Sequence, residues 1–121
     1  MRNETQHLYS LTEKLDYREI VKNFIQKYAQ EECVEDSENL EIVFDTERDV
    51  YLLLVTGWKD ENRIYWFPIH ISIKDGKIWI ERDFTEEGIP HQLVELGVPK
   101  TDIVLGFRSP YVRQFTGFAS V

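Results

Sequence analysis

Asp75-Gly76-Lys77 has the D-x-K spacing of one half of a restriction-type nuclease signature, and Asp49 or Asp60 upstream could supply the metal-binding carboxylate. Its chemistry would be metal-assisted phosphodiester hydrolysis. The same residues also form an Asp-Gly pair between two alternating apolar runs, the strongest short-range hairpin signal there is. A catalytic carboxylate and lysine need an ordered strand and further oxygen ligands converging on Mg²⁺, whereas a hairpin tip points into solvent. Matches this short recur by chance, so a turn is the stronger expectation. A carboxylate-bound metal enzyme would need Asp45, Glu47, Asp49 or Asp60 to converge with Asp75.

The other chemistry-bearing residues are dispersed. His7, His70 and His91 show neither H-x-H nor H-E-x-x-H spacing, so nothing in the spacing writes a zinc site. Cys33 sits in the acidic stretch "EECVEDSEN", where neighbouring carboxylates raise a thiol pKa and deactivate it as a nucleophile. The glycines stand singly, without a G-x-G-x-x-G or G-x-x-x-x-G-K arrangement, and read as turns and caps. No catalytic, cofactor or metal residue is assigned on these grounds.

The elements that would have to position such groups fit one domain: 121 residues, 42% hydrophobic, can bury a single sizeable core. A net charge of -8, from 22 acidic and 14 basic residues, repels a phosphate backbone, so direct DNA binding is disfavoured. "FRSPYVRQF" is the one locally basic, aromatic stretch, and an ordered C-terminal turn suits it better than nucleic-acid contact. A lone cysteine, no signal-like stretch in "MRNETQHLYSL" and no long apolar run point to a cytoplasmic protein without membrane contact.

Ser10 with Glu13 has the form of a capping box, and Asp16 is a second possible helix start. Leu15, Ile20, Val21, Phe24, Ile25 and Tyr28 then share one helical stripe ending near Glu31 or Glu32. After the connector, "LEIVFD", "VYLLLVTGW", "RIYWFPIHISIK" and "KIWIERD" alternate with period two, separated by "TERD", "KDEN" and "DG". An antiparallel meander of at least four strands follows. A shorter helix is expected in "TEEGIPHQLVELGVPK", with Thr85 as N-cap, Glu86 and Glu87 at its positive end and Gly97 near its C-cap. The fold class is α+β, with the long helix and the shorter one packed on the sheet.

A two-residue Asp-Gly loop pins Lys74 opposite Lys77. Counting back pairs Ile73 with Ile78 and Ile71 with Ile80 on the core side, and Ser72 with Trp79, His70 with Glu81 and Pro68 with Asp83 on the other. With "KDEN" as a loop, Leu52 and Leu54 fall beside Ile69 and Phe67 on the core side. The second side then carries Tyr51, Leu53, Val55, Trp66, His70 and Trp79, too apolar to leave in water. Either the C-terminal helix or another polypeptide covers it. The candidate partner surface is Tyr51, Val55, Trp66, His70 and Trp79, rimmed by Glu81 and Asp83 and open to self-association as well. Arg82, counted onto the core side opposite Ile69, calls for Glu86 or Glu87 as an ion-pair partner, or else for an anionic ligand. A small-ligand pocket would have to gather Trp58, Trp66, Trp79 and Arg82.

The strings "FDTERDVYLLLVTGW", "IHISIKDGKIWIERDFTEEGI", "ELGVPKTDIVLGF" and "PYVRQFTGFA" resemble successive blocks of the cyanobacterial XisI family, controlling factors for excision of the fdxN element. The resemblance spans roughly Tyr17 to Ala119, leaving residues 1–16 as an N-terminal extension and 17–121 as a single XisI-like domain. Phe107-Arg108-Ser109-Pro110 stands where the pattern more typically reads F-H-P-P. The resemblance implies a small α+β protein that acts with a nuclease-like partner, XisH. Together they control a site-specific recombinase that removes a DNA element during heterocyst differentiation. No catalytic or cofactor residues come with it. An acidic chain concerned with DNA excision fits protein binding better than DNA binding, which makes an adaptor or an inhibitor of XisH the expected mechanism.

Overall fold

The computed structural model describes residues 15–31 and 37–121. The Ser10–Glu13 capping box, His7 and Cys33 lie outside the described residues. Helix α1 (Tyr17–Glu31) is followed by β1 (Glu38–Asp45), β2 (Val50–Lys59), β3 (Asn62–Lys74) and β4 (Lys77–Asp83). Helix α2 (Ile89–Glu95), a 3₁₀ turn (Lys100–Asp102), β5 (Ile103–Leu105) and the single helical turn α3 (Pro110–Arg113) complete the order. Among the described residues the strands form one sheet in the order β1-β2-β3-β4-β5. The first four make the expected meander. β5 returns parallel to β4, pairing Ile78 with Ile103 and Ile80 with Leu105.

Helix α1 starts at Asp16, whose carboxylate accepts the Glu19 N–H at 3.3 Å. Its stripe buries Val21, Phe24 and Ile25 on the sheet, with Tyr17, Ile20 and Tyr28 packed around them. Helix α2 lies on the same face: Ile89 and Leu93 join Ile69, Ile71, Ile78 and Ile80 in one core. The C-terminal end of α2 closes with two backbone bonds, Gly97 N–H to Val94 O and Val98 N–H to Leu93 O, both 3.0 Å. That pattern needs a left-handed residue, and Gly97 supplies it at φ 102°.

The Asp-Gly hairpin forms as expected, with Asp75 at φ 52° and Gly76 at φ 75°, and Lys74 opposite Lys77. Ile71 and Ile80 face the helices while Ser72 and Trp79 face away. Two bulges then change the register. Near its loop, the β2–β3 hairpin keeps the expected count, from Lys59 opposite Asn62 to Val55 opposite Trp66. Beyond it, β3 holds an extra residue at Phe67-Pro68, and Leu53 lies opposite Ile69. Proline has no N–H to give to a ladder, so a central strand accommodates Pro68 by bulging. The shift by one residue turns the expected faces over. Tyr51 and Leu53, not Leu52, enter the core beside Ile69 and Ile71, while Leu54 is buried outside that cluster.

The second bulge lies on β4, where Glu81 is the extra residue, and His70 comes opposite Arg82 rather than Glu81. Asp83 accordingly faces Ile69 and not Pro68. At the far end of β2, Gly57 is required by contact. A Cβ there would meet the Ser37 carbonyl oxygen at 2.0 Å, at a φ of 155°.

Candidate functional site

The expected single apolar patch is divided by these bulges. Tyr51 and Leu53 are core residues, and Val55 is buried opposite Leu40. Trp66 packs edge-on against Phe84, with ring centroids 5.1 Å apart. His70 stays half-buried on the face away from the helices, beside Ser72. Burial is the main influence pushing the His70 pKa below its ordinary value; Glu81 opposes that shift and Lys74 adds to it.

Trp79 is covered from within the chain, by the C-terminal turn rather than by α2. Arg113, only 8% exposed, sets its guanidinium 5.1 Å from the centroid of the Trp79 ring. Its nitrogens donate to the backbone oxygens of Leu105 at 3.0 Å, Gly106 at 3.4 Å and Val121 at 2.7 Å. Lys74 Nζ also lies 4.3 Å from the Trp79 ring and pairs with Glu81 at 3.3 Å. Arg113 was invisible to motif reasoning, because backbone carbonyls as acceptors leave no trace in residue types.

Asp83 is a structural cap. Its Oδ1 accepts the Thr85 N–H at 3.0 Å and the Thr85 hydroxyl at 2.6 Å, and its Oδ2 accepts the Ile89 N–H at 2.8 Å. Helix α2 therefore begins at Ile89 instead of after Thr85, whose hydroxyl accepts the Gly88 N–H at 3.1 Å. Glu86 and Glu87 precede the helix. Arg82 forms no ion pair with either of them among the described residues. The bulge turns it toward His70, and its guanidinium lies 5.5 Å from the Phe84 ring and 5.9 Å from the Trp66 ring.

The carboxylates of the nuclease reading are either exposed or bonded within the fold. Asp75 occupies the exposed hairpin tip. Asp49 accepts Arg18 Nε at 2.6 Å, Arg18 Nη2 at 2.9 Å and the Tyr51 hydroxyl at 2.8 Å, tying α1 to the sheet. The Arg18 bonds hold the Asp49 carboxyl below its ordinary pKa. Burial, aided by Asp49, pushes the Tyr51 phenol up to about 12. Asp45 caps the turn before Asp49, accepting the Glu47 and Arg48 N–H groups at 3.0 Å each. Among the described residues no three His, Cys, Asp or Glu side chains form a metal-binding group.

The three tryptophans do not gather around Arg82. Trp58 is exposed beneath Arg63, 5.3 Å from its ring, Trp79 meets Arg113, and Trp66 meets Phe84. Two open grooves flank α1 instead. One of about 460 Å³ lies between Tyr17, Ile73 and Asp102, and one of about 530 Å³ between Phe24, Tyr28, Glu87 and Leu96. No helix among the described residues is long and apolar enough to cross a membrane.

A small α+β sheet protein with ordered carboxylate caps and a covered tryptophan defines the class. The chain belongs to the XisI family: the family model described as XisI protein matches residues 12–120. It is similar to a XisI-like protein from Anabaena variabilis ATCC 29413, at 40% identity and a TM-score of 0.83, covering 87% of this chain and 96% of that one. It is also similar to the fdxN element excision controlling factor XisI from the same organism. The identity there is 36% and the TM-score 0.76, with the same coverage of 87% and 96%. A comparison with curated proteins finds no match.

Proposed function

We propose that the protein is an accessory factor in programmed excision of a DNA element, acting without catalysis of its own by binding a nuclease-like XisH partner that works with a site-specific recombinase. The observation that carries the reading is the likeness to an excision controlling factor, 36% identical along 87% of this chain. The charge supports protein binding over DNA binding: -8 overall, with Arg113 buried and Arg18 engaged by Asp49. Commitment of Asp49 to Arg18 and Tyr51, and the exposure of Asp75 at the hairpin tip, support a binder over a metal nuclease.

Co-expression with an XisH-like protein, followed by size-exclusion chromatography, tests the reading. A complex that co-elutes at fixed stoichiometry is the expected result. Separate elution, together with Mg²⁺-dependent cleavage by the isolated protein that Asp75→Asn abolishes, would overturn it.

A further inference from the structure

The two edges of the sheet are finished differently. At the β5 edge Val104 pairs with Ala119, and the C-terminal turn closes the sheet. At the other edge β1 runs eight residues, pairs with β2 without a register break, and has no further strand beside it among the described residues. Natural edge strands are commonly blunted by lysine, proline, a bulge or shortness. Charged side chains also blunt an edge, and "ENLEIVFD" carries only acidic ones, with no lysine, proline or bulge, while Ile42 and Val43 are 40% and 43% exposed.

The direction of the β1 backbone groups not paired with β2 follows from two bonds. Ile73 N–H donates to Asp49 O at 3.0 Å, so alternate residues of β2 in phase with Asp49 bond β3. Trp58 N–H donates to Ser37 O at 3.3 Å, so the others bond β1. Carried through the pairing of Ile42 with Leu53, this turns the N–H and C=O of Leu40, Ile42 and Phe44 toward the open edge.

We propose that β1 is a docking edge for an extended basic segment of another protein, which adds to the sheet as a strand. The proposal rests on the reading above for the identity of that protein, and on the edge alone for the mode of docking. Charge selects the occupant. On the strand Asp45 is engaged by Arg48 at 3.1 Å, whereas Glu41 is exposed, and the strand itself carries no cation on a chain of net charge -8. A second copy would bring the same charges. Antiparallel self-pairing that matches outward-facing residues sets Glu41 directly or diagonally against Glu41 or Asp45 of the other copy. The segment that fits has apolar side chains beside Leu40, Ile42 and Phe44, and Lys or Arg beside Glu41.

The test is fluorescence anisotropy with a labelled synthetic peptide of about ten residues, alternating valine with lysine and arginine, and a counterpart with glutamate in place of the cations. The cationic peptide should bind at least about tenfold more tightly, and slow amide exchange at Leu40, Ile42 and Phe44. Ile42→Pro keeps every charge but removes an outward N–H, and should weaken binding about tenfold or more. Glu41→Lys should narrow or reverse the preference between the two peptides. Equal binding by folded Ile42→Pro would show that charge alone attracts the peptide, and would overturn the proposal. If that variant does not fold, unaltered exchange at the three amides of the natural chain overturns it instead. A dimer that buries those amides would assign the edge to a second copy and reject the basic segment. Failure of the XisH-like protein to co-elute while the peptide still docks would reject the partner named above and support the edge.

Discussion

Arg113 stacks over Trp79 with its guanidinium carbon 5.1 Å from the ring centroid, joining the C-terminal turn to the face of the sheet opposite the helices. The arginine is held there by the backbone oxygens of Leu105, Gly106 and Val121. The contact therefore places charge over an aromatic face while its hydrogen bonds are satisfied by backbone.

Arg113→Ala should destabilise the protein by about 3 kcal/mol, because buried carbonyls lose charged donors and the Trp79 ring loses its cover. Trp79→Ala should cost about 2 to 4 kcal/mol, at the lower side of core tryptophan truncations because its ring is only partly buried. A double-mutant cycle on urea midpoints should return a coupling of about 0.5 to 2 kcal/mol between the two. Additive losses would mean that the stacking contributes nothing.

Asp49 should govern acid sensitivity. Its carboxyl is held below the ordinary 3.8 chiefly by the Arg18 hydrogen bonds. The folded state thus binds its proton less readily than the unfolded state. The stabilisation is fully present above the ordinary value and is lost as pH falls through the lower folded one. Arg18 is 56% exposed against 17% for Asp49, so solvent and salt screen the pair. Asp49→Asn should flatten the slope of unfolding midpoint against pH in that acidic window, and the difference should shrink at high salt. An unchanged slope would assign the acid sensitivity to other carboxylates.

The Asp-Gly hairpin was legible because a two-residue loop admits one register, and Lys74 through Ile71 follow from it by counting. Counting failed at Pro68 and at Glu81, where each bulge adds a residue to one strand only. A proline inside a strand-like run is a warning of such a bulge, since it cannot donate to the ladder. Glu81 carries no comparable signal. β5 escaped notice because three residues are too few to show a period, and its parallel pairing depends on a return of the chain through α2. The partner surface drawn from the uncorrected register consequently mixed buried residues such as Tyr51 and Val55 with half-buried ones such as Trp66, His70 and Trp79.

His70 should make the fold weaker in mild acid. Burial keeps its pKa below the ordinary 6.5, so the unfolded chain takes up the proton first as pH falls. Stability is complete above the ordinary value and declines from there toward the lower folded one. Two charged groups bear on the ring, Glu81 attracting the protonated form and Lys74 opposing it, while Arg82 is the residue opposite in the ladder. His70→Gln should remove the part of the midpoint change that falls in this window, and Glu81→Gln should enlarge it. An NMR titration giving a His70 pKa above 6.5 would reverse the sign and reject this account.

Asp83 should act on stability rather than on partner binding. Its carboxylate accepts the Thr85 N–H and hydroxyl through one oxygen and the Ile89 N–H through the other, so it fixes the turn that launches α2. Helix α2 has no side-chain cap from its own N-cap residue, Gly88, and it places Ile89 and Leu93 in the core. Asp83→Ala leaves three donors without their acceptor and should cost about 2 to 4 kcal/mol, more than a single lost cap. Asp83→Asn has one carbonyl oxygen and can serve one side of the turn only, so it should fall between the natural chain and Asp83→Ala. Urea midpoints of the three proteins, measured beside co-elution with the proposed XisH-like partner under folding conditions, separate the roles. Reduced midpoints with undiminished co-elution are expected, whereas an unchanged midpoint with lost co-elution would return Asp83 to the binding surface.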